Sequence, residues 1–124
     1  MASTYTKLQL EKYFSHIDLP PEYRLEAQPA LNFDFLTALH IHQISAVPYE
    51  NLSLHYSASH TISLDPQALY RKIVTNGRGR GGYCMELASF FNHILRSLGF
   101  AAITAGVRIR PRSGGVPEGS YIGW

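Results

Sequence analysis

With 124 residues, 45% of them hydrophobic and 16% charged, the chain has the make-up of an ordinary soluble globular protein, sized for one small domain or part of a larger one. A formal charge of +2 is too small to imply a nucleic-acid or anionic-membrane partner. One cysteine, Cys84, excludes an intrachain disulfide and a cysteine-based metal cluster and fits a reducing compartment.

No apolar run opens the N-terminus, so no signal peptide is expected, and no stretch approaches the roughly 20 apolar residues of a membrane span. The first element reads as a helix capped by Ser3 or Thr4, with Leu10, Tyr13, Phe14 and Ile17 on one face. Leu19-Pro20-Pro21 stops it, because proline lacks an amide donor and restricts the residue before it. A second helix is expected from Asn32 or Asp34 to about Ile44, with Leu36, Leu39 and Gln43 on one face and Phe35 alongside. Residues 46–52, broken by Pro48, read as an extended segment or turn.

Asp65-Pro66 is a helix start, a capping carboxylate followed by a proline in the first turn. Leu69, Tyr70, Ile73 and Val74 supply its buried face, and Asn76-Gly77 ends it. A glycine-rich loop over 77–82 leads into a strong helix. Its expected stripe is Ala88, Phe91, Leu95 and Leu98, widened by Phe90 and Ile94, and Gly99 suits its C-terminal cap. Residues 101–110 then read as a strand, 111–119 as a loop, and 120–124 as the start of another strand. The expectation is a helical region followed by the first strands of a β region.

Cys84 falls where the glycine loop meets a helix N-terminus. Free amides and the helix dipole favour negative charge there, so a thiolate is stabilised relative to a free cysteine. The glycines let the backbone approach a substrate closely, and nearby amides can stabilise an oxyanion. The competing reading is a small buried hydrophobe, since free cysteine is among the most buried residue types. A catalytic cysteine also needs a base, usually a histidine held by a carboxylate. His93 lies nine residues along the same helix, about half a turn out of phase at ~100° per residue, and is expected to face away. His40 and His42 belong to another helix, and His55 and His60 to a polar loop.

Arg80-Gly81-Gly82-Tyr83-Cys84-Met85-Glu86 resembles the Arg-Gly-Gly-aromatic-Cys-x-Glu signature of the arylamine N-acetyltransferases. His40 followed by Val47-Pro48-Tyr49-Glu50-Asn51-Leu52 looks like that family's histidine and Pro-Phe-Glu-Asn-Leu motif. Ile62-Ser63-Leu64-Asp65, Lys72-Ile73-Val74 and Leu98-Gly99-Phe100 fall at the expected intervals. The resemblance covers roughly Leu10 to Trp124, and several motifs in order are far more specific than any one.

The resemblance implies an α+β fold of the cysteine-protease-like kind. Its helical N-terminal domain would occupy 1–99, and 100–124 would begin a β-barrel domain that stays incomplete here. It implies a ping-pong acyl transfer in which Cys84 takes an acetyl group from acetyl-CoA as a thioester and passes it to an aromatic amine or hydrazine nitrogen. By the same resemblance Tyr49, Tyr83 and Gly123 occupy substrate-binding places, Arg80 and Glu50 support the site, no metal is used, and the setting is cytoplasmic. Of the family's Cys-His-Asp triad only the cysteine falls within the chain; the histidine would lie just past Trp124, so this chain alone is expected to be impaired or inactive. Ala88 stands where the family usually has asparagine, which removes that side chain's hydrogen bonds. Arg80 and Glu50, both in motifs framing the cysteine, are expected to meet, because a carboxylate accepts a bidentate arginine. The alternatives are a non-catalytic fragment or pseudoenzyme and, far behind, a nucleic-acid binder. Arg78-Gly79-Arg80-Gly81-Gly82 is one copy in a loop, unlike the repeated tracts that bind nucleic acid.

Overall fold

The computed structural model describes residues 4–56, 58–77, 79–105, 108–109, 112–117 and 122–123. Among the described residues five α-helices follow one another: α1 (Lys7–His16), α2 (Phe33–Ala46), α3 (Leu52–Tyr56), α4 (Pro66–Tyr70) and α5 (Cys84–Leu98). Two short 3₁₀ turns, Pro21–Tyr23 and Leu25–Ala27, join α1 to α2. Among the described residues, four strand segments form two separate antiparallel pairs. β1 (Arg108–Ile109) pairs with β4 (Ile122–Gly123), and β2 (Arg112–Ser113) with β3 (Val116–Pro117). The described chain is therefore a helical region with very little strand.

Local chemistry sets most boundaries. Thr6, rather than Thr4, caps α1: its hydroxyl accepts the Gln9 amide at 3.2 Å while the Gln9 side chain accepts the Thr6 amide at 3.0 Å, a reciprocal capping box. Ser3, the other expected cap, lies outside the described residues. The helix stops before the prolines act. Asp18 adopts φ 56°, and the Leu19 amide turns back to the Phe14 carbonyl at 2.9 Å, a left-handed C-terminal closure. Asn32 caps α2 through the Phe35 amide at 3.0 Å, and Asp65 caps α4 through the Ala68 amide at 3.0 Å. Gly99, at φ 107°, closes α5.

The core draws on every long element. Tyr13, Phe14 and Ile17 come from the α1 end, Phe35 and Leu39 from α2, Leu69, Tyr70 and Ile73 from the α4 region, and Phe90 and Ile94 from α5. Aromatic edges knit it together: Tyr13 meets Phe90 at 5.4 Å and 75°, and Tyr5 meets Tyr70 at 5.4 Å. Polar tips are satisfied, with the Tyr5 hydroxyl on the Pro66 carbonyl and the Tyr70 hydroxyl on the Gln9 carbonyl. Tyr13 donates to Gln43 inside the core, and burial pushes its phenol far above the usual range.

Several expectations need correcting. In α5 the core face is Glu86, Phe90 and Ile94, whereas Ala88 is exposed and Phe91, Leu95 and Leu98 are only half-buried. That helix is apolar on two sides, and tertiary packing selects one. In α2, Phe35 joins Leu39 and Gln43 in the core while Leu36 stays half-buried. Residues 52–56, part of them read as a turn, form α3. A wide π turn, Arg71–Thr75, extends α4.

Within 101–110, residues 101–105 carry no strand pairing, 108–109 do, and 106, 107 and 110 lie outside the described residues. The expected loop over 111–119 contains a hairpin, because Gly114 and Gly115 both take positive φ, which suits a two-residue turn. Of the terminal strand, Ile122 and Gly123 pair as β4 and residues 120, 121 and 124 lie outside the described residues.

Candidate active site

Cys84 is the first residue of α5 and is half-buried, outside the hydrophobic core. Three sequence-distant segments meet beside it. Residues 48–50 run parallel to the glycine loop, with Tyr49 bridged to Gly82. The Gly82 amide donates to the Pro48 carbonyl at 3.3 Å, and the Glu50 amide to the Gly82 carbonyl at 2.9 Å. This pairing needs glycine. A Cβ on Gly81 would lie 1.8 Å from the Pro48 carbonyl oxygen, and one on Gly82 would lie 2.7 Å from the Glu86 Cβ.

Below the loop lies a cluster of four charges. Arg80 Nε donates to Glu50 Oε2 at 2.9 Å, its Nη2 reaches Oε1 at 3.5 Å, and the same nitrogen donates to Ser53 Oγ at 3.0 Å. The expected meeting of Arg80 and Glu50 is thus present. Lys72, which the sequence did not single out for a role, joins the second carboxylate. Its Nζ donates to Glu86 Oε2 at 2.5 Å and stands 3.6 Å from Glu50 Oε1. Glu86 is only 2% exposed, and its other oxygen accepts the Tyr83 amide at 3.4 Å. A carboxylate at the third helical position taking the amide just ahead of the helix is the reaching-back half of a capping box. This buried acid, two residues past the cysteine, thereby holds the entry into α5.

Tyr49 is 68% exposed, and Tyr83 is half-buried with its hydroxyl on Met85 Sδ at 3.3 Å. Both flank the Gly82 pairing. Gly123 sits in β4 opposite Arg108.

Three of the described histidines have partners or clefts of their own. His93 stands 3.4 Å from the Thr4 hydroxyl and edge-on to Tyr5, facing away from the loop as its phase predicts. Burial, then the nearby Arg96 charge, holds His93 below the usual imidazole range, against a smaller opposing pull from Asp65. His40 contacts Phe91 beside a surface cavity of about 490 Å³ lined also by Phe33 and Leu36. His42 lines a different cleft with Pro20 and Tyr23. Among the described residues no group of three or more His, Cys, Asp or Glu side chains could hold a metal ion, and no helix is long and apolar enough to cross a membrane.

An N-acetyltransferase family model matches residues 32–118, the stretch that carries the glycine loop, the cysteine and the paired 48–50 segment. The chain belongs to the arylamine N-acetyltransferase family. Among its curated relatives, an N-malonyltransferase of Fusarium pseudograminearum is 35% identical over 97% of this chain and 39% of its own. The liver isozyme of arylamine N-acetyltransferase from Gallus gallus is 37% identical over 75% of this chain and 29% of its own. The arylamine N-acetyltransferase of Escherichia coli is 36% identical over 73% and 29%. This N-acetyltransferase-family chain therefore spans about two-fifths or less of the length of the relatives it matches.

Proposed function

We propose that Cys84 is the acyl-accepting nucleophile of an arylamine N-acetyltransferase. The observation that carries this reading is its place: a half-buried thiol on the first residue of α5, after a glycine pair closed onto Pro48. First-turn amides lack intrahelical acceptors and point where charge develops on an attacked carbonyl. The Cys84 sulfur attacks the thioester carbon of acetyl-CoA, forming a new carbon–sulfur bond as coenzyme A leaves as its thiolate and is protonated. An aromatic amine or hydrazine nitrogen then attacks the acetyl-cysteine, the carbon–sulfur bond breaks, and the nitrogen gives up a proton.

Tyr49, Tyr83 and Gly123 are the proposed substrate contacts, and Arg80 with Glu50 the support that holds the loop. In this reading 1–99 is the helical domain and 100–124 begins a β-barrel domain, in a cytoplasmic enzyme that uses acetyl-CoA as co-substrate and no metal. His40 lies against Phe91 and His93 against Thr4, so in this reading neither is the base that takes the amine's proton. General-base help is typically worth ~10²–10⁴-fold, and this chain alone is expected to acylate slowly and turn over less still.

A second donor has support of its own. The relative aligned over 97% of the chain is an N-malonyltransferase, which favours malonyl-CoA as the alternative acyl donor. Incubation with acetyl-CoA and with malonyl-CoA, followed by peptide mass spectrometry, tests both readings. An acyl group on Cys84, absent from Cys84→Ala, is expected. The deciding sample is the chain extended to full length: if that folds and stays unacylated with either donor, the nucleophile is ruled out.

A further inference from the structure

We propose that Lys72 is a positioning residue for Cys84, acting through Glu86. The inference rests on the acyl-transfer reading only for its catalytic consequence, since the geometry bears on the reactivity of the thiol itself. Lys72 lies on the π turn, where the Asn76 amide reaches back five residues to the Arg71 carbonyl at 2.9 Å. Such wide turns are rare and occur frequently at functional sites.

From there its ammonium touches both carboxylates of the cluster, at 2.5 Å and 3.6 Å. Each carboxylate does a separate job. Glu86 holds the Tyr83 amide immediately before the cysteine, and Glu50 holds the arginine of the glycine loop. Two acids and two bases make the cluster neutral, and Lys72 supplies the charge facing the more deeply buried acid. Its own side chain is 16% exposed, too enclosed for water to take its place freely.

Without that ammonium, a carboxylate 2% exposed has no ion-pair partner among the described residues. A buried unpaired charge is costly enough that the group protonates or swings toward water. In either case its grip on the Tyr83 amide weakens, and the first turn of α5 loses the geometry that presents Cys84. A lysine that only stabilised the fold would change melting behaviour and leave the native thiol's reactivity alone.

The test is the iodoacetamide alkylation rate of Cys84 in the native 124-residue chain, divided by the rate in urea-unfolded chain. It is run on wild type, Lys72→Met, Lys72→Arg, Glu86→Gln and the Lys72→Met/Glu86→Gln pair. Lys72→Met should lower the ratio about tenfold, the scale of one charge-assisted hydrogen bond. Lys72→Arg should recover most of it. In the Glu86→Gln background, Lys72→Met should change the ratio less than about twofold, because the charge it serves is gone.

If Lys72→Met alone does not fold, the comparison of the pair with Glu86→Gln decides: near-equality supports the assignment, and a further large drop overturns it. A folded Lys72→Met that keeps the wild-type ratio also overturns it. Acetyl transfer from acetyl-CoA is followed on the same samples. A wild-type chain extended to full length and run alongside that never acquires an acetyl group, while the 124-residue chain shows the alkylation pattern, removes the acyl-transfer reading and leaves Lys72 in place. Acetylation with an unchanged Lys72→Met ratio removes Lys72 alone.

Discussion

Gly81→Ala is the sharpest perturbation available, because the clash it creates is with backbone. The new methyl would sit 1.8 Å from the Pro48 carbonyl oxygen and 2.9 Å from its carbonyl carbon, and neither can rotate aside. Ordinary contact begins near 3.4 Å, so the loop must retreat by roughly 1.5 Å. That retreat breaks the two backbone hydrogen bonds between Gly82 and the 48–50 segment, at 3.3 and 2.9 Å, each worth about 0.5–1.5 kcal/mol. It also loosens the Arg80–Glu50 pair, which is partly exposed and adds about 0–1 kcal/mol. The expected loss is about 1–4 kcal/mol, against a total stability of roughly 5–15 kcal/mol for proteins in general. Gly77→Ala is the control: it has open space around it and pays only for φ +61°, about 1–2 kcal/mol. Urea unfolding followed by circular dichroism measures both, and Cys84 alkylation should weaken in Gly81→Ala more than in Gly77→Ala. A Gly81→Ala loss below that of Gly77→Ala would refute the reasoning, since it would mean the 48–50 pairing carries no stability.

Arg80→Lys should cost about 1 kcal/mol or less in a urea titration yet slow Cys84 alkylation severalfold, because lysine cannot span both Glu50 oxygens and Ser53 together. Tyr13→Phe should destabilise by about 1–3 kcal/mol, read as a lower urea midpoint with an unchanged slope, because it strands the buried Gln43 side chain. His93 gives a pH signature. Its folded-state affinity for protons is lowered by burial and Arg96, so the unfolded chain binds more protons and stability rises with pH. Melting temperature should fall as pH drops through about 6.5, the value of an unperturbed histidine, and His93→Gln should flatten that fall.

Features set by one short stretch of chain were legible in the sequence. Asn32, the Asp65-Pro66 start and Gly99 all act within a single helical turn, and each appears where its side chain, or for Gly99 its lack of one, suits the cap. The same holds for the phase of His93, which needs only the pitch of a helix. Features decided by competition were not legible. Thr4 and Thr6 are both competent caps, and the Gln9 side chain chose between them. Because α5 is apolar on two faces, periodicity alone could not say that Phe90 and Ile94 would face the core ahead of Phe91 and Leu95. The Arg80–Glu50 contact could be expected because both lie in recognisable motifs flanking one cysteine. Lys72 could not, since its triplet matched by interval alone and a basic residue on a helix reads as solvated until the fold brings it to Glu86.

That difference bears on how the site is built. The groups around Cys84 come from 48–53, 72 and 80–86, so no local segment holds the arrangement by itself. The helix start supplies amides and a dipole wherever α5 forms, but the loop in front of it is shaped only when Pro48 accepts the Gly82 amide and Glu86 is held by Lys72. The charge cluster and the core share elements as well: the turn that carries Lys72 also buries Ile73, and the helix that carries Glu86 also buries Phe90 and Ile94. Packing of the core therefore sets the reach of the lysine to the acid, and the acid sets the entry of the chain into the helix that presents the thiol. The share of Cys84's reactivity that depends on the shaped loop, beyond what the helix start supplies, is for this reason a tertiary property. It should disappear in the same cooperative step as the helical signal rather than persist in a partly unfolded chain that keeps α5 alone.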